Sequence, residues 1–363
     1  MFIYLFVFLL STIFLFLYGK TTSSAKKKMF LIFAILFPSL LAGFRQAGIG
    51  TDTNNYVRIV YDLCLRGKTM PYIANHTGIE YLYILINMLV VKTIPSVNIV
   101  YFILQFIIQY FILKACVYYE KDCPPWISYL LFLLLFYNRS LNMIRQTISI
   151  SIILYSFCFY KTDNKKSLFL ILLAFLFHNT AIIGFILFIM YKIISLFKGK
   201  YTNLVKIFIL FLVVMFVIFY KEIISFLINS NILSQRYLFY IKDNSSNIIG
   251  VEHVMVILIT LLCFISGKVI SKTKLKDIPF VIYMGFILYN LGKISNYAQR
   301  FSYYYLYFSI FTIPQFPKIF VGKKYQNIFL FILLILALCF WIYYYCILKA
   351  DRTVPYMSIF SWK

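Results

Sequence analysis

Charge is scarce in this chain. Only 13% of its 363 residues are Asp, Glu, Lys or Arg, against roughly a quarter in an average globular domain, and 63% are hydrophobic. No polar gap between apolar stretches is longer than about 35 residues, so no separate water-soluble domain fits. Length therefore counts membrane spans, and residues 1–363 read as a single transmembrane domain. The seven cysteines contain no C-x-x-C pair and fall mostly inside apolar stretches, which leaves packing as their role and excludes a disulfide framework. His76, His178 and His253 show no ligand spacing, so neither a metal nor a cofactor is expected. The apolar run from Met1 to Tyr18 lacks a basic leader and a small-residue cleavage site, and reads as a retained first helix. A net charge of +24 raises the question of nucleic acid, but the lysines sit in short clusters between apolar runs, where membrane topology explains them.

What is present is a long series of apolar runs. The fold class is an all-α polytopic integral membrane protein of about twelve transmembrane helices with short hairpins. The spans are placed at 1–18, 29–44, 97–119, 126–138, 143–160, 167–178, 179–195, 203–220, 253–270, 278–291, 301–316 and 327–348. Several are too short to cross about 30 Å at 1.5 Å per residue, which points to hairpins tucked around a cavity. Residues 45–96 form a first extracytoplasmic loop, with 79–95 lying along the surface as an interfacial helix, and 221–252 form a second. This arrangement puts the clusters at Lys20 and 26–28, Lys161–166, Lys192–200, Lys268–276 and Lys318–324 in the cytoplasm, and both termini outside.

All eight arginines, Arg45, Arg58, Arg66, Arg139, Arg145, Arg236, Arg300 and Arg352, then fall at outer loops or outer helix ends. Arginine offers a planar fork that matches phosphate oxygens in pairs, whereas lysine is a compact charge sufficient to orient a helix. An outer face rich in arginine fits an anionic lipid diphosphate. Arg58, Arg66 and Arg352 serve equally well as contacts to lipid headgroups. Arg139, Arg145 and Arg300 adjoin apolar spans, where a guanidinium needs a partner or a wet cavity.

Asn138, Asn142, Arg145 and Ser149 recur at helical spacing as one polar stripe, with Gln146 beside it to read a sugar hydroxyl. Asp52 sits in Gly48-Ile-Gly50-Thr-Asp52-Thr-Asn-Asn-Tyr56, whose glycines permit tight backbone, and is the first candidate for a general base. The bland alternative is an Asx turn capping the segment from Asn54 to Leu65. Asp62 and Glu80 are weaker candidates from the same loop. His178, in Phe177-His178-Asn179-Thr180, can bind phosphate or exchange a proton, or serve as a hydrogen-bonded structural histidine. Tyr297 and Tyr303, beside Arg300, either join the interfacial tyrosine belt or stack on sugar faces.

At these residues the chain resembles the EpsG family of exopolysaccharide polymerases, which are similar in role to the Wzy O-antigen and capsule polymerases. The likeness runs through FRQAGIGTDTNNY (44–56), the Glu80 segment, NMIRQTISISIILYSF (142–157), LAFLFHNTAII (173–183), YAQRFSYYY (297–305) and the Pro355-Tyr356 tail. Thr147 and Ser149 stand where the family often has small residues. The resemblance implies a glycosyltransferase in a bacterial inner (plasma) membrane, with its site facing the periplasm or exterior. It moves a growing glycan from undecaprenyl diphosphate onto a sugar hydroxyl of the next lipid-linked repeat unit. Asp52 and His178 are then the catalytic residues, while Arg45, Tyr56, Glu80, Asn142, Arg145, Gln146, Tyr297 and Arg300 bind substrate. Expected partners are the undecaprenyl-diphosphate-linked oligosaccharide and membrane lipid, with a chain-length regulator and a flippase of the same pathway. The first loop with its surface helix also looks like the GT-C arrangement of lipid-dependent glycosyltransferases.

Two other readings compete. A lipid-linked oligosaccharide flippase needs internal repeats and cations deep in both halves, and neither is evident. A membrane acyltransferase with His178 as base leaves the loop around Asp52 without a role.

Overall fold

The computed structural model describes residues 1–238, 241 and 250–360. The side chains of Arg236 and Tyr237 and much of the expected second loop, residues 239, 240 and 242–249, lie outside the described residues. The described part of that loop begins with helix, Tyr220–Asn229. Among the described residues there is no strand, and an isolated antiparallel bridge joins Arg45 to Ser358. The chain divides into two compact units, Met1–Ile182 with Asn327–Lys363, and Ile183–Gln326.

In the first unit the helices are α1 (Phe2–Lys20), α2 (Ser24–Gly43), α3 (Arg58–Leu65), α4 (Met70–Thr77), α5 (Tyr81–Thr93), α6 (Val97–Tyr118), α7 (Pro125–Leu135), α8 (Tyr137–Asn142), α9 (Ile144–Ser156) and α10 (Asn164–Phe177). The second unit takes up most of α11 (Ile182–Ser195), then α12 (Lys200–Ile218), α13 (Tyr220–Asn229), α14 (Val251–Ile265) and α15 (Ile278–Tyr289). The last long helix, α16 (Lys323–Trp341), returns the chain to the first unit and runs on into a π-helical turn, Ile342–Ile347.

Four helical stretches among the described residues are long and apolar enough to cross a membrane: Phe2–Lys20, Val97–Tyr118, Lys200–Ile218 and Lys323–Ile347. Other apolar helices are shorter. The 11 residues of α7 rise only about 16 Å, half a hydrocarbon core of about 30 Å. The expected span at 301–316 is broken into turns, Arg300–Ser302, Tyr303–Leu306, Ser309–Thr312 and Ile313–Ile319. Pro314 and Pro317 lie in the last of these, and each removes a backbone donor that a continuous helix requires.

The apolar surface marks a membrane protein. In α16 the buried side chains Leu333, Ala337 and Trp341 recur every four residues, while Ile328, Phe331, Ile332, Ile335 and Leu336 point outward exposed. In α12 only Ile209 is buried. A helix apolar on its unpacked face requires an apolar solvent there.

The first unit has two chemically distinct ends. At one, the Tyr18 hydroxyl donates to Glu120 Oε2 at 2.8 Å, Lys27 lies over the Tyr18 ring, and Lys166 Nζ is 3.8 Å from the Phe159 ring centre. At the other end Asn98 Nδ2 ties the carbonyls of Gly43 and Arg45, and Arg45 reaches Leu141. Two lysine clusters thus gather at one end and Arg45, Arg139 and Arg145 at the other. An aromatic knot closes the arginine end. Tyr4 meets Tyr356 edge-on at 5.6 Å and Trp341 at 6.0 Å, and Phe8 meets Tyr137 at 5.2 Å.

Candidate functional site

The expected polar stripe on a single helix is two faces instead. Met143, at φ −87° and ψ 56°, breaks the chain between α8 and α9, so residues before and after it project into different surroundings. Asn138 and Asn142 turn toward the C-terminal segment, Arg145 toward the first loop, and the Ser149 hydroxyl donates to the Ala174 carbonyl in α10.

The Gly48–Tyr56 loop is pinned to that break. Gly50 has φ +83°, and a Cβ there would lie 2.8 Å from the Leu141 carbonyl oxygen, so only glycine lets the two backbones approach. Asn142 Oδ1 accepts from the Thr51 hydroxyl at 2.7 Å and from the Asp52 backbone N–H at 3.1 Å. Asp52 stands at the head of a π-helical turn, Thr53–Val57, that leads into α3, yet its side chain makes no capping hydrogen bond. The expected cap on that turn is therefore not made by the Asp52 side chain, which is half-buried. Asp62, the other loop aspartate, is exposed on α3.

Arg45 is almost wholly buried. Its guanidinium lies 4.5 Å over the Tyr101 ring and donates to the Leu141 carbonyl at 2.9 Å. These contacts brace the same backbone against which Gly50 packs.

Asp351 is a participant that sequence reasoning missed. Its Oδ1 accepts from Asn142 Nδ2 at 2.9 Å and its Oδ2 lies 3.4 Å from Arg139 Nε, while Arg139 also donates to the Tyr344 hydroxyl at 2.8 Å. Asn138 completes the link, taking the Trp341 indole N–H at 2.7 Å and donating to the Thr353 hydroxyl at 2.9 Å. Lys349, Asp351 and Arg352 all have left-handed backbone, with φ of 52°, 59° and 50°. Non-glycine residues hold that conformation only where surrounding contacts over-determine it, here including Gly50 N–H to the Arg352 carbonyl at 3.1 Å. A lone acid just beyond a span was the available signal.

Glu80 organises the second half of the site. It heads α5 after Gly78, whose left-handed backbone ends α4. One carboxylate oxygen receives Arg145 at 2.5 Å; the other receives His178 Nδ1 at 2.9 Å and the Asn179 backbone N–H at 3.0 Å. Burial by itself raises the Glu80 carboxyl, but the His178 hydrogen bond and the Arg145 charge more than reverse it and hold it at about 2. His178 occupies an extended break between α10 and a short 3-10 turn, Asn179–Ala181, which aims its ring at the first loop. The Arg145 guanidinium lies 5.0 Å from the Tyr56 ring centre and 5.9 Å from that of Tyr83.

Tyr56, in the π-helical turn that Asp52 heads, ties the first loop to Arg145 and through it to Glu80. The structure thus brings Asp52, Tyr56, Glu80, Asn142, Arg145 and His178 together at the arginine end of the first unit, with Arg45 beneath them and Gln146 buried next to Arg145. Tyr297 and Arg300 belong to the second unit, where the guanidinium lies 5.1 Å from the Tyr297 ring centre and the Tyr303 hydroxyl donates to Glu252 at 2.9 Å.

The arrangement is able to hold an anion and move a proton. It has a half-buried carboxylate, an imidazole oriented by a second carboxylate, and a guanidinium with only one of its five N–H donors engaged by Glu80. Among the described residues no three His, Cys, Asp or Glu side chains are grouped to hold a metal ion.

Residues 28–358, nearly the whole chain, match the family model of the EpsG family. The chain belongs to the EpsG family, which carries a polysaccharide polymerase-like role and accords with the apolar helices of a membrane protein. No curated protein and no solved structure matches the chain.

Proposed function

We propose that this protein is a lipid-diphosphate-dependent polysaccharide polymerase of the bacterial plasma membrane. It transfers a growing glycan from undecaprenyl diphosphate to a sugar hydroxyl of the next lipid-linked unit at the outer leaflet. The observation that carries this reading is the convergence of the Asp52 turn, through Tyr56, with Arg145, Glu80 and His178 at the arginine end of the first unit. The lysine clusters at the opposite end support an outward orientation for the site.

In the transfer, the acceptor hydroxyl oxygen forms a bond to the donor sugar's anomeric carbon as that carbon's bond to the diphosphate oxygen breaks. The departing lipid diphosphate keeps the electron pair, and the hydroxyl proton passes to Asp52. Arg145 donates to the diphosphate oxygens as charge develops on them, and preorientation by Glu80 and the tyrosine faces spares reorganisation at that moment. Asn142 and Arg45 act by placing the Asp52 loop. His178 is the second proton-handling group, its ring orientation set by Glu80. Arg300, with Tyr297, is proposed to bind substrate in its own unit.

The test is the glycan ladder of a strain lacking the native gene and complemented with tagged wild type, Asp52→Asn, Arg145→Ala, His178→Ala or Arg300→Ala. Wild type is expected to restore long chains, while well-inserted Asp52→Asn and Arg145→Ala leave a single lipid-linked unit. Absence of polymer with wild type, or normal ladders from both variants, overturns the proposal.

A further inference from the structure

A cavity of about 360 Å³ lies beside the Glu80 cluster, within the first unit, between the end of α4, the start of α5 and the end of α10. Its volume is at the lower end of small-molecule sites, which span about 300–1,000 Å³. Its polar lining is Asn75, Glu80 and Asn179, and its apolar lining includes Tyr81, Phe175 and Leu176. None of the residues lining it carries a positive charge.

The composition of that wall selects among ligands. A phosphate would need a cation, and the wall offers none. A purely apolar chain would leave three polar side chains unused. The amides of Asn75 and Asn179 are exposed, make no side-chain hydrogen bond, and each offers both donors and an acceptor. Glu80 has one lone pair left on the oxygen that Arg145 occupies, since the other oxygen already receives two donors. Hydroxyl groups are the ligands that both donate and accept at such positions. Tyr81 and Phe175 supply the flat apolar faces on which the C–H side of a sugar ring rests.

The cavity is also reachable from lipid. Phe175 and Leu176 continue an exposed apolar strip of α10 that includes Phe169 at 65% and Leu172 at 53% exposure. A polar headgroup carried on a prenyl chain therefore arrives here without leaving the membrane.

We infer that this cavity is a subsite for an uncharged, hydroxylated sugar ring of the lipid-linked unit, gripped by Asn75, Asn179 and Glu80 and stacked on Tyr81 and Phe175. This rests on the polymerase reading for the identity of the lipid-linked glycan, but not for the binding itself. The site sets which repeat unit is accepted and lies apart from the proton transfer at Asp52.

Binding is tested in membranes with the full-length chain carrying Asn75→Cys, and separately Lys68→Cys as an exposed control. Labelling by N-ethylmaleimide is read by peptide mass in two hosts, one accumulating undecaprenyl-diphosphate-linked repeat units and one unable to start their synthesis. Labelling at position 75 is expected to slow at least about threefold when the units are present, while position 68 is unchanged; a site about two-thirds occupied or more produces that factor by mass action. Equal labelling in both hosts overturns the inference. Equal protection by lipid lacking sugar, undecaprenyl phosphate alone, also overturns it in favour of a lipid site. The second measurement is the ladder from Asn179→Ala and Leu176→Trp, the first removing one hydrogen-bonding group and the second filling the cavity. Asn179→Ala is expected to lower polymer yield about five- to tenfold at limiting substrate, the cost of one lost hydrogen bond. Wild-type ladders from both variants count against the subsite. A strain in which wild type makes no polymer while position 75 is still protected separates failure of the polymerase reading from failure of this one.

Discussion

Replacing Glu80 with Gln tests whether one carboxylate holds the site together. Its side chain is 7% exposed and joins Arg145 to His178 and to the Asn179 backbone. Gln keeps an acceptor for Arg145 but presents an NH2 group to two positions that now donate, and leaves the guanidinium without its counter-charge. Lowering the carboxyl from 4.5 to about 2 corresponds to about 3 kcal/mol favouring the folded state. The sign follows from the direction of the shift. A depressed carboxylate contributes its full stabilisation above the unfolded value of 4.5 and loses it as pH falls toward about 2. Thermal unfolding of wild type and Glu80→Gln in lipid nanodiscs, followed by intrinsic fluorescence, is expected to show a lower Tm for the variant at pH 7. The difference shrinks as pH falls below 4.5. In a cycle with Arg145→Gln, the two single changes are expected to couple by about 1–3 kcal/mol. Additive effects in the cycle, or a Tm gap that stays constant from neutral pH to pH 3, would refute the bridge.

Gly50→Ala should destabilise the chain by about 1–3 kcal/mol, since the new methyl meets the Leu141 carbonyl and the backbone is left-handed. Gly67→Ala, also left-handed but in open space, should cost about 1 kcal/mol, so equal Tm values for the two variants would remove the close-approach argument. Asn142→Ala strips acceptors from Thr51 and Asp52 and a donor from Asp351; polymer yield should fall with Tm lowered by a few degrees, and an unchanged ladder would detach Asp52 from the reaction. Orientation is read in intact cells: an impermeant maleimide is expected to label Lys68→Cys and spare Lys165→Cys, and the reverse pattern would invert the proposed topology.

Much of the class was legible from the chain alone because a bilayer imposes a demand on composition. Apolar runs with few charges have no other solvent, and the separation of lysine clusters from arginines anticipated the two ends seen in the first unit. The motifs 44–56, 142–157 and 173–183 were also readable as one family set, and they do meet around Glu80 and Asn142. Glu80 itself was read as a weaker candidate base and, by the family resemblance, as a substrate-binding residue, not as the link between two other side chains. Its role depends on Arg145 and His178, 65 and 98 residues away, and no local pattern reports such pairings.

Sequence by itself thus determined the solvent, the helical class and the family, because hydropathy and short motifs are local properties that survive without coordinates. Tertiary structure alone decided which polar groups share a site. The break at Met143 divided an apparent stripe, the burial of Arg45 placed a cation beneath the loop, and the left-handed turn at Asp351 delivered an acid from the far end of the chain. Each of these results from packing between segments distant in sequence, and in a low-dielectric interior every buried charge must be met by whatever partner the fold brings to it.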